Sequence, residues 1–397
     1  MDTLAIGDVV EVSIERVAHG GHCVGRVQGQ VLFVRHTAPG ETVRAKITSI
    51  GKGGKFAFAD CEEVLTSSPQ RITPACRFAG ECGGCDFQHL NLSYQRELKT
   101  AVLIEQLTRL GKLPVDHPLL SDLQVQALSA DETGAGWRTR MEYATDARGR
   151  IGLRKLGSND VVTIDRCLIA ADEIATDGVT NRPWAANSEV RAVVTSTGER
   201  QLTIEGSEEN PILREHVGDN TFSVFARGFW QAHRRAPEVF TESVMTLAGL
   251  KQGDHVVDLF AGAGLFTVPA LSAVGAGGRV DAVEGNPAAC KNLRSNTRAF
   301  PNAAAHVGSV DTWLKKSGLS RCDVVILDPP RVGAGKEVVA RIAKLKPRTI
   351  VYVACDPAAL ARDIAYFGEL GYSPQAIEAF DAFPMSHHFE TVVALTR

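Results

Sequence analysis

Cys355 closes a run of β-branched and aromatic residues, Thr349-Ile350-Val351-Tyr352-Val353-Ala354, and the Asp356-Pro357 pair after it stops a strand and can open a helix. In an open α/β sheet the carboxyl end of a strand is the edge where ligands bind, so a thiol there can act as a nucleophile rather than fill a core. Two further strand ends carry acids. Val324-Val325-Ile326-Leu327 runs into Asp328-Pro329-Pro330-Arg331, and His388-Phe389-Glu390 opens the last apolar stretch. A thiol, an Asp and a Glu at three strand ends make a set that can add to a substrate, hold it and move a proton.

A second group of thiols has ligand spacing. Cys76, Cys82 and Cys85 form a C-x5-C-x2-C array, and Gly83-Gly84 lets the backbone fold tightly enough for the last two sulfurs to reach one ion or cluster. Cys167, after the strand Val161 to Asp165, is available as a fourth thiolate. Four thiolates suit an iron–sulfur cluster or structural zinc, and spacing does not separate the two.

The elements around these residues divide the chain. Short alternating strands broken by glycine turns fill residues 1–62 and predict a five-stranded OB-like barrel. From Arg16 to Lys55 that stretch holds seven Lys or Arg against Glu41 alone, a net +6 that suits a polyanion such as RNA. Residues 63–222 read as a β-rich central domain carrying the cysteines, with a helix at 91–112 placed to pack on the catalytic domain. Residues 223–397 alternate strand and helix, which predicts a doubly wound parallel sheet.

The first strand of that sheet, His255-Val256-Val257-Asp258-Leu259-Phe260, leads into Ala261-Gly262-Ala263-Gly264, and the second ends in Glu284. The glycines permit a tight turn against a ligand, and Glu284 is placed for a ribose diol. A nicotinamide enzyme would also use such a loop. Here, however, Thr267 stands where the third glycine of the dinucleotide fingerprint would be, and Asp258 precedes the glycines.

Composition fits an ordinary soluble protein: 397 residues, 44% hydrophobic, 22% charged, net charge −3. No apolar run reaches the roughly 20 residues of a membrane span, and the amino terminus lacks a basic-then-apolar leader. A cytoplasmic monomer is expected, in a reducing compartment where clustered cysteines mean metal or catalysis rather than disulfides.

An acid before G-x-G, a second acid one strand later and Asp328-Pro329-Pro330 after the fourth strand resemble class I S-adenosylmethionine-dependent methyltransferases. Arg331 departs from adenine amino-methylases, which carry an aromatic there, and from RNA cytosine-5 enzymes, which carry a cysteine. Over nearly the whole chain the motifs resemble the RNA 5-methyluridine methyltransferase family: a TRAM-type barrel, Cys76/Cys82/Cys85/Cys167, Phe229-Trp230-Gln231, Asp258 to Gly264, Asp328 to Gly333, Cys355-Asp356-Pro357 and His388-Phe389-Glu390. The family usually has Asn where Asp356 stands, a carboxylate that raises the thiol pKa unless it points away.

The resemblance implies Cys355 as nucleophile at carbon 6 of uracil and Glu390 as the base that removes the carbon 5 proton. It further implies S-adenosylmethionine contacts from Gln231, Phe260, Glu284 and Asp328, a 4Fe–4S cluster on the four cysteines, and Arg331 orienting a base or phosphate. The expected substrate is RNA, 23S ribosomal RNA before transfer RNA. Cytosine-5 methylation, or an RNA-binding redox sensor without enzymatic activity, are the alternatives.

Overall fold

The computed structural model describes residues 4–130, 133–176, 178–204 and 206–397. The amino-terminal strands β1 (Val9–Val17), β2 (Cys23–Val27), β3 (Gln30–Arg35), β4 (Thr42–Ile50) and β5 (Phe56–Thr66) close into the expected barrel, in the order β1-β2-β3-β5-β4. Alternation drives the closure: Leu32, Val34, Ala57 and Ala59 point inward and are fully buried, while Phe33, Phe56 and Phe58 between them face out. Buried Glu41 anchors the barrel to the segment after it, accepting from the amides of Ala38 and Ser68 and from the Arg71 guanidinium at 2.6 and 2.7 Å.

Helix α1 (Leu92–Arg109) starts at Asn91, whose side chain accepts from the Tyr94 amide, and short helix α2 (Pro118–Ser121) comes next. Strand β6 (Val125–Gln126) then pairs with the far edge of the catalytic sheet, so this part of the chain is built into that sheet. The central sheet is antiparallel, ordered β11-β10-β7-β8-β9. Its strands are β7 (Arg140–Thr145), β8 (Ile151–Arg154), β9 (Val161–Thr163), β10 (Glu189–Val194) and β11 (Arg200–Ile204), with α3 (Asp172–Thr176) beside β10. A hairpin of β12 (Ile212–Val217) and β13 (Asn220–Phe225) leads to α4 (Ala236–Ala248).

The remaining chain alternates as the sequence predicts: β14 (His255–Leu259), α5 (Thr267–Val274), β15 (Arg279–Glu284), α6 (Pro287–Thr297), β16 (Ala303–Val307), α7 (Val310–Lys316), β17 (Val324–Leu327), α8 (Gly335–Lys344), β18 (Thr349–Ala354), α9 (Pro357–Glu369), β19 (Ser373–Phe380) and β20 (Glu390–Thr396). The eight-stranded sheet runs β16-β15-β14-β17-β18-β20-β19-β6, parallel except for β20. Its central strands are buried on both faces, one apolar layer containing Leu103, Leu107, Tyr352 and Phe367 and the other Phe240, Phe266 and Val392. Among the described residues no helix is long and apolar enough to cross a membrane.

Lys99 of α1 and Asp381 after β19 form an ion pair with side chains only 1% and 0% exposed, and the Lys99 ammonium also donates to the Phe383 carbonyl. A buried pair is costly to break because the survivor keeps its desolvation penalty without its counter-charge. Lys99→Met should therefore cost about 3–5 kcal/mol. Denaturant unfolding would detect this; a midpoint equal to that of the parent protein would show that Asp381 is compensated elsewhere.

Candidate active site

The strand register assembles the site. In the antiparallel pair of β18 and β20, Ala354 lies opposite Thr391, so Cys355 and Glu390 fall across from each other where the two strands meet the sheet edge. Leu327 lies beside Tyr352 and Leu259, and Leu259 beside Val283, which brings Asp328, Phe260 and Glu284 to the same edge. Five residues from five separate strands thus converge because four parallel strands and one antiparallel strand end in one row.

Each end is fixed by local chemistry. Phe260 holds φ at 63°, a left-handed conformation costly for an aromatic residue, of order 1–3 kcal/mol, and such strain persists where surrounding structure imposes it at functional loops. Gly264 at φ 96° leaves no room for a side chain, since a Cβ would stand 2.9 Å from Leu293. Glu284 accepts from the Gly262 amide at 2.8 Å and the Asn286 amide at 2.6 Å, which presents the glycine turn at the strand end. Asp356 caps α9, accepting from the Ala359 amide at 2.8 Å, so it is Cys355 that meets the opening.

Burial raises the proton affinity of three of the acids. Burial, opposed by the Thr267 hydroxyl and reinforced by Glu284, pushes Asp258 up to about 7. Burial, with Asp258 nearby, does the same to Asp328. Glu390 is displaced well above the carboxylate range by burial and by Asp328. The Cys355 thiol is pushed up to about 12 by burial and then by Glu390 and Asp328, with Arg331 acting the other way. A site of this kind holds its protons until a cation or a substrate arrives.

Cys355 opens into a cleft shared with Arg331, Lys99, His387 and His388, and with Ala18 to Gly21 of the barrel. The His388 imidazole is held neutral, down to about 3, by burial and then by its neighbours His387 and Arg331. The guanidinium of Arg331 makes no hydrogen bond or ion pair to another described residue, and Val332 beside it is 76% exposed, so the loop offers a free cation at the rim. Asp363 of α9 fixes that loop by accepting from the amides of Ala334 and Gly335 and from the Tyr352 hydroxyl. Sequence reasoning missed Asp363, as it missed Lys99 and His19, because each acts through partners far away in the chain.

Gln231 is buried before α4 and lines a cavity with Thr139, Glu215 and His233, while Phe229 two residues earlier is 72% exposed.

Cys76, Cys82, Cys85 and Cys167 do come together. They line one pocket with Phe78, Leu153, Ile164 and Ile169, and the Gly84 amide donates to the Cys82 sulfur. Burial pushes the thiols of Cys82 and Cys167 up and that of Cys85 to about 12, so these sulfurs ionise only against a strong positive centre. Among the described residues no group of three or more His, Cys, Asp or Glu is arranged to hold a metal ion. The pocket is a thiol-lined chamber, and four cysteine sulfurs are a donor type shared by iron–sulfur and structural zinc sites.

Fold and edge define a class I methyltransferase joined to an amino-terminal barrel. Family models match accordingly: TRAM domain at residues 4–61, TRM5/TYW2 methyltransferase domain at 236–312 and tRNA (uracil-5-)-methyltransferase at 309–397. An uncharacterized RNA methyltransferase of Streptomyces coelicolor is 38% identical over 98% of this chain and 93% of its own. One of Corynebacterium efficiens is 35% identical over 99% and 96%. The chain belongs to this RNA methyltransferase family. The crystal structure of Pyrococcus abyssi tRNA (uracil-54, C5)-methyltransferase with S-adenosyl-L-homocysteine shares the fold, at 22% identity and a TM-score of 0.71 over 97% of this chain and 99% of that one.

The displaced carboxyls make a signed prediction. Asp328 titrates near 7 when folded, above the roughly 3.9 of an unfolded Asp, so its contribution to stability is full below the unfolded value and lost as pH rises through 7. Asp328→Asn cannot ionise. Relative to the parent protein, its melting temperature should rise between about pH 4 and about pH 7. A difference that stays constant across that range would place the charged form of Asp328 in a better-solvated setting.

Proposed function

We propose that the protein transfers the methyl group of S-adenosylmethionine to carbon 5 of a uridine in RNA. The observation that carries the reading is the pairing of β18 with β20, which sets the Cys355 thiol across from the buried Glu390 carboxyl at a ligand-binding edge. Carbon 5 of uracil is too weak a nucleophile to take a methyl unaided. Cys355 sulfur adds to carbon 6, and the electron pair moves onto carbon 5 and the neighbouring carbonyl. Bound S-adenosylmethionine supplies an electrophilic methyl on a sulfonium. Carbon 5 would take that methyl as the methyl–sulfonium bond breaks and S-adenosylhomocysteine leaves; Glu390, having given up its own proton to solvent, removes the carbon 5 proton as carboxylate, and the carbon 6–sulfur bond breaks to return the Cys355 thiolate.

Several features of the chain serve these steps. The amino end of α9 and the open Arg331 cation favour the thiolate. Asp258, Glu284 and Asp328 form an acidic edge suited to a cationic cofactor, with Phe260 beside it, and Gln231 completes the contacts that the resemblance implies. Glu390 and Asp328 oppose ionisation of the thiol, and the helix end and Arg331 act against them. Arg331 binds a phosphate or orients the base at the rim.

We further propose a 4Fe–4S cluster on Cys76, Cys82, Cys85 and Cys167, acting as a structural brace because four thiolates leave no iron open. The Asp86 and Phe87 amides, next to Cys85, both donate to the Met385 carbonyl at 3.0 and 2.9 Å, so the braced segment holds the loop that ends at Glu390. Metal analysis of anaerobically purified protein should find about four iron atoms per chain and a brown colour, both lost in Cys85→Ser. Stoichiometric zinc without iron would overturn the cluster.

The substrate favoured is large-subunit ribosomal RNA, as the combination of barrel and cysteines resembles its methylases. Transfer RNA is the second reading, supported by the tRNA (uracil-5-)-methyltransferase match at 309–397. Nucleoside analysis of separated RNA fractions from cells lacking the protein decides: 5-methyluridine should fall in 23S RNA, whereas a fall confined to transfer RNA selects the second reading. Cys355→Ser should lose more than about a thousandfold in turnover while still binding S-adenosylmethionine, and near-parent activity would remove the nucleophile assignment.

A further inference from the structure

Asp356 joins two parts of the molecule that lie 337 residues apart in sequence. One carboxylate oxygen caps α9 through the Ala359 amide at 2.8 Å, and the other meets the His19 Nε2 at 3.0 Å. His19 sits in the turn between β1 and β2 of the barrel, ahead of Gly20 and Gly21. The turn is pressed onto the catalytic domain: Gly21 has φ 81°, and a Cβ there would stand 2.9 Å from the His387 ring. Residues 18–21 accordingly form one wall of the cleft that holds Cys355. The barrel is part of the active site as well as a candidate surface for RNA.

We propose that His19 is a positioning residue: by pairing with Asp356 it holds that carboxylate on the barrel turn and lessens its opposition to the Cys355 thiolate, so that the barrel must be docked for the thiol to react. The proposal rests on Cys355 as the nucleophile. Asp356 is the residue directly after Cys355, and an unpaired negative charge there would oppose thiolate formation. Other titratable groups facing the thiol are Glu390 and Asp328 from their strand ends and Arg331 from its loop. Around the same cleft, His387 is paired with Asp86 and Lys99 with Asp381, and His388 is held neutral. The balance at Asp356 is therefore set by His19 and the helix amide, with Arg331 adding a weaker pull. Burial works against the charged form, and yet the His19 and Ala359 bonds hold the Asp356 carboxyl below its ordinary value. With the Ala359 amide and Arg331 still in place, the carboxylate would persist as a charge if His19 were removed.

The test is a double-variant cycle on the intact protein, reading the iodoacetamide alkylation rate of the Cys355 peptide by mass spectrometry across pH. His19→Ala should slow alkylation about threefold or more at fixed pH and move the profile upward by about half a unit. Asn still caps a helix but carries no charge, so in an Asp356→Asn background the same His19 change should have no effect. His19→Gln, which keeps an N–H donor, should slow the reaction less than His19→Ala, again only when Asp356 is present. An equal slowing in both backgrounds, or none in either, overturns the proposal. Alkylation does not require methyl transfer: if Cys355→Ser retained turnover, the proposed function would fail while the cycle still reported on His19.

Discussion

The site depends on one register. Ala354 of β18 must lie opposite Thr391 of β20, because a slip of one residue in an antiparallel pair turns every side chain to the other face. The slip would carry Glu390 away from Cys355 and drive polar groups into the apolar layers around Val351 and Val392. The sheet interior specifies the pairing strongly, since Val351, Val353, Val392 and Val393 are all buried. What the strands do not fix is the loop before Glu390. Several separate contacts converge there: Lys99 on Asp381, Gln95 on the Met385 amide, Asp86 on His387, and the barrel turn against His387. The amino-terminal third of the chain thus acts as a clamp on the approach to Glu390.

Such a site favours its protonated, unreactive form. The buried Asp258 and Glu390 and the half-buried Asp328 and Cys355 disfavour charge on one another in one region, and the fold bears that cost beside a strained Phe260. Local rules broken together in this way mark functional positions, where stability is given up for reactivity. Charge is supplied from outside, by a cationic cofactor against the acidic edge and by a polyanion against Arg331. An acid and a thiol with such displaced proton affinities can then serve chemistry near neutrality.

Features with local causes were legible in the sequence. Strand ends marked by Asp-Pro pairs, the glycine turn after Asp258, the barrel's alternation and the cysteine spacing all come from neighbouring residues, and the structure contains each of them. Features made by distant pairing were not legible. Nothing around His19 announces Asp356, the two-residue strand β6 carries no pattern of its own, and Asp363 looks like an ordinary helix acid until the loop at Ala334 folds onto it. The Asp at 356 reads in sequence as a possible handicap to the thiol. In the fold its carboxylate is occupied by an amide and an imidazole, which changes its meaning.

In the proposed cycle Cys355 and Glu390 work on opposite ends of one covalent reaction. The direct measurement uses Glu390→Gln with labelled RNA and methyl-labelled S-adenosylmethionine on a denaturing gel. Addition and methyl transfer remain possible without the base, but release of Cys355 does not. The expected result is a protein–RNA adduct that carries the methyl label, survives denaturation and vanishes when Cys355→Ser is added. A well-folded Glu390→Gln protein that turns over freely with no adduct would contradict the assignment of Glu390 as the base.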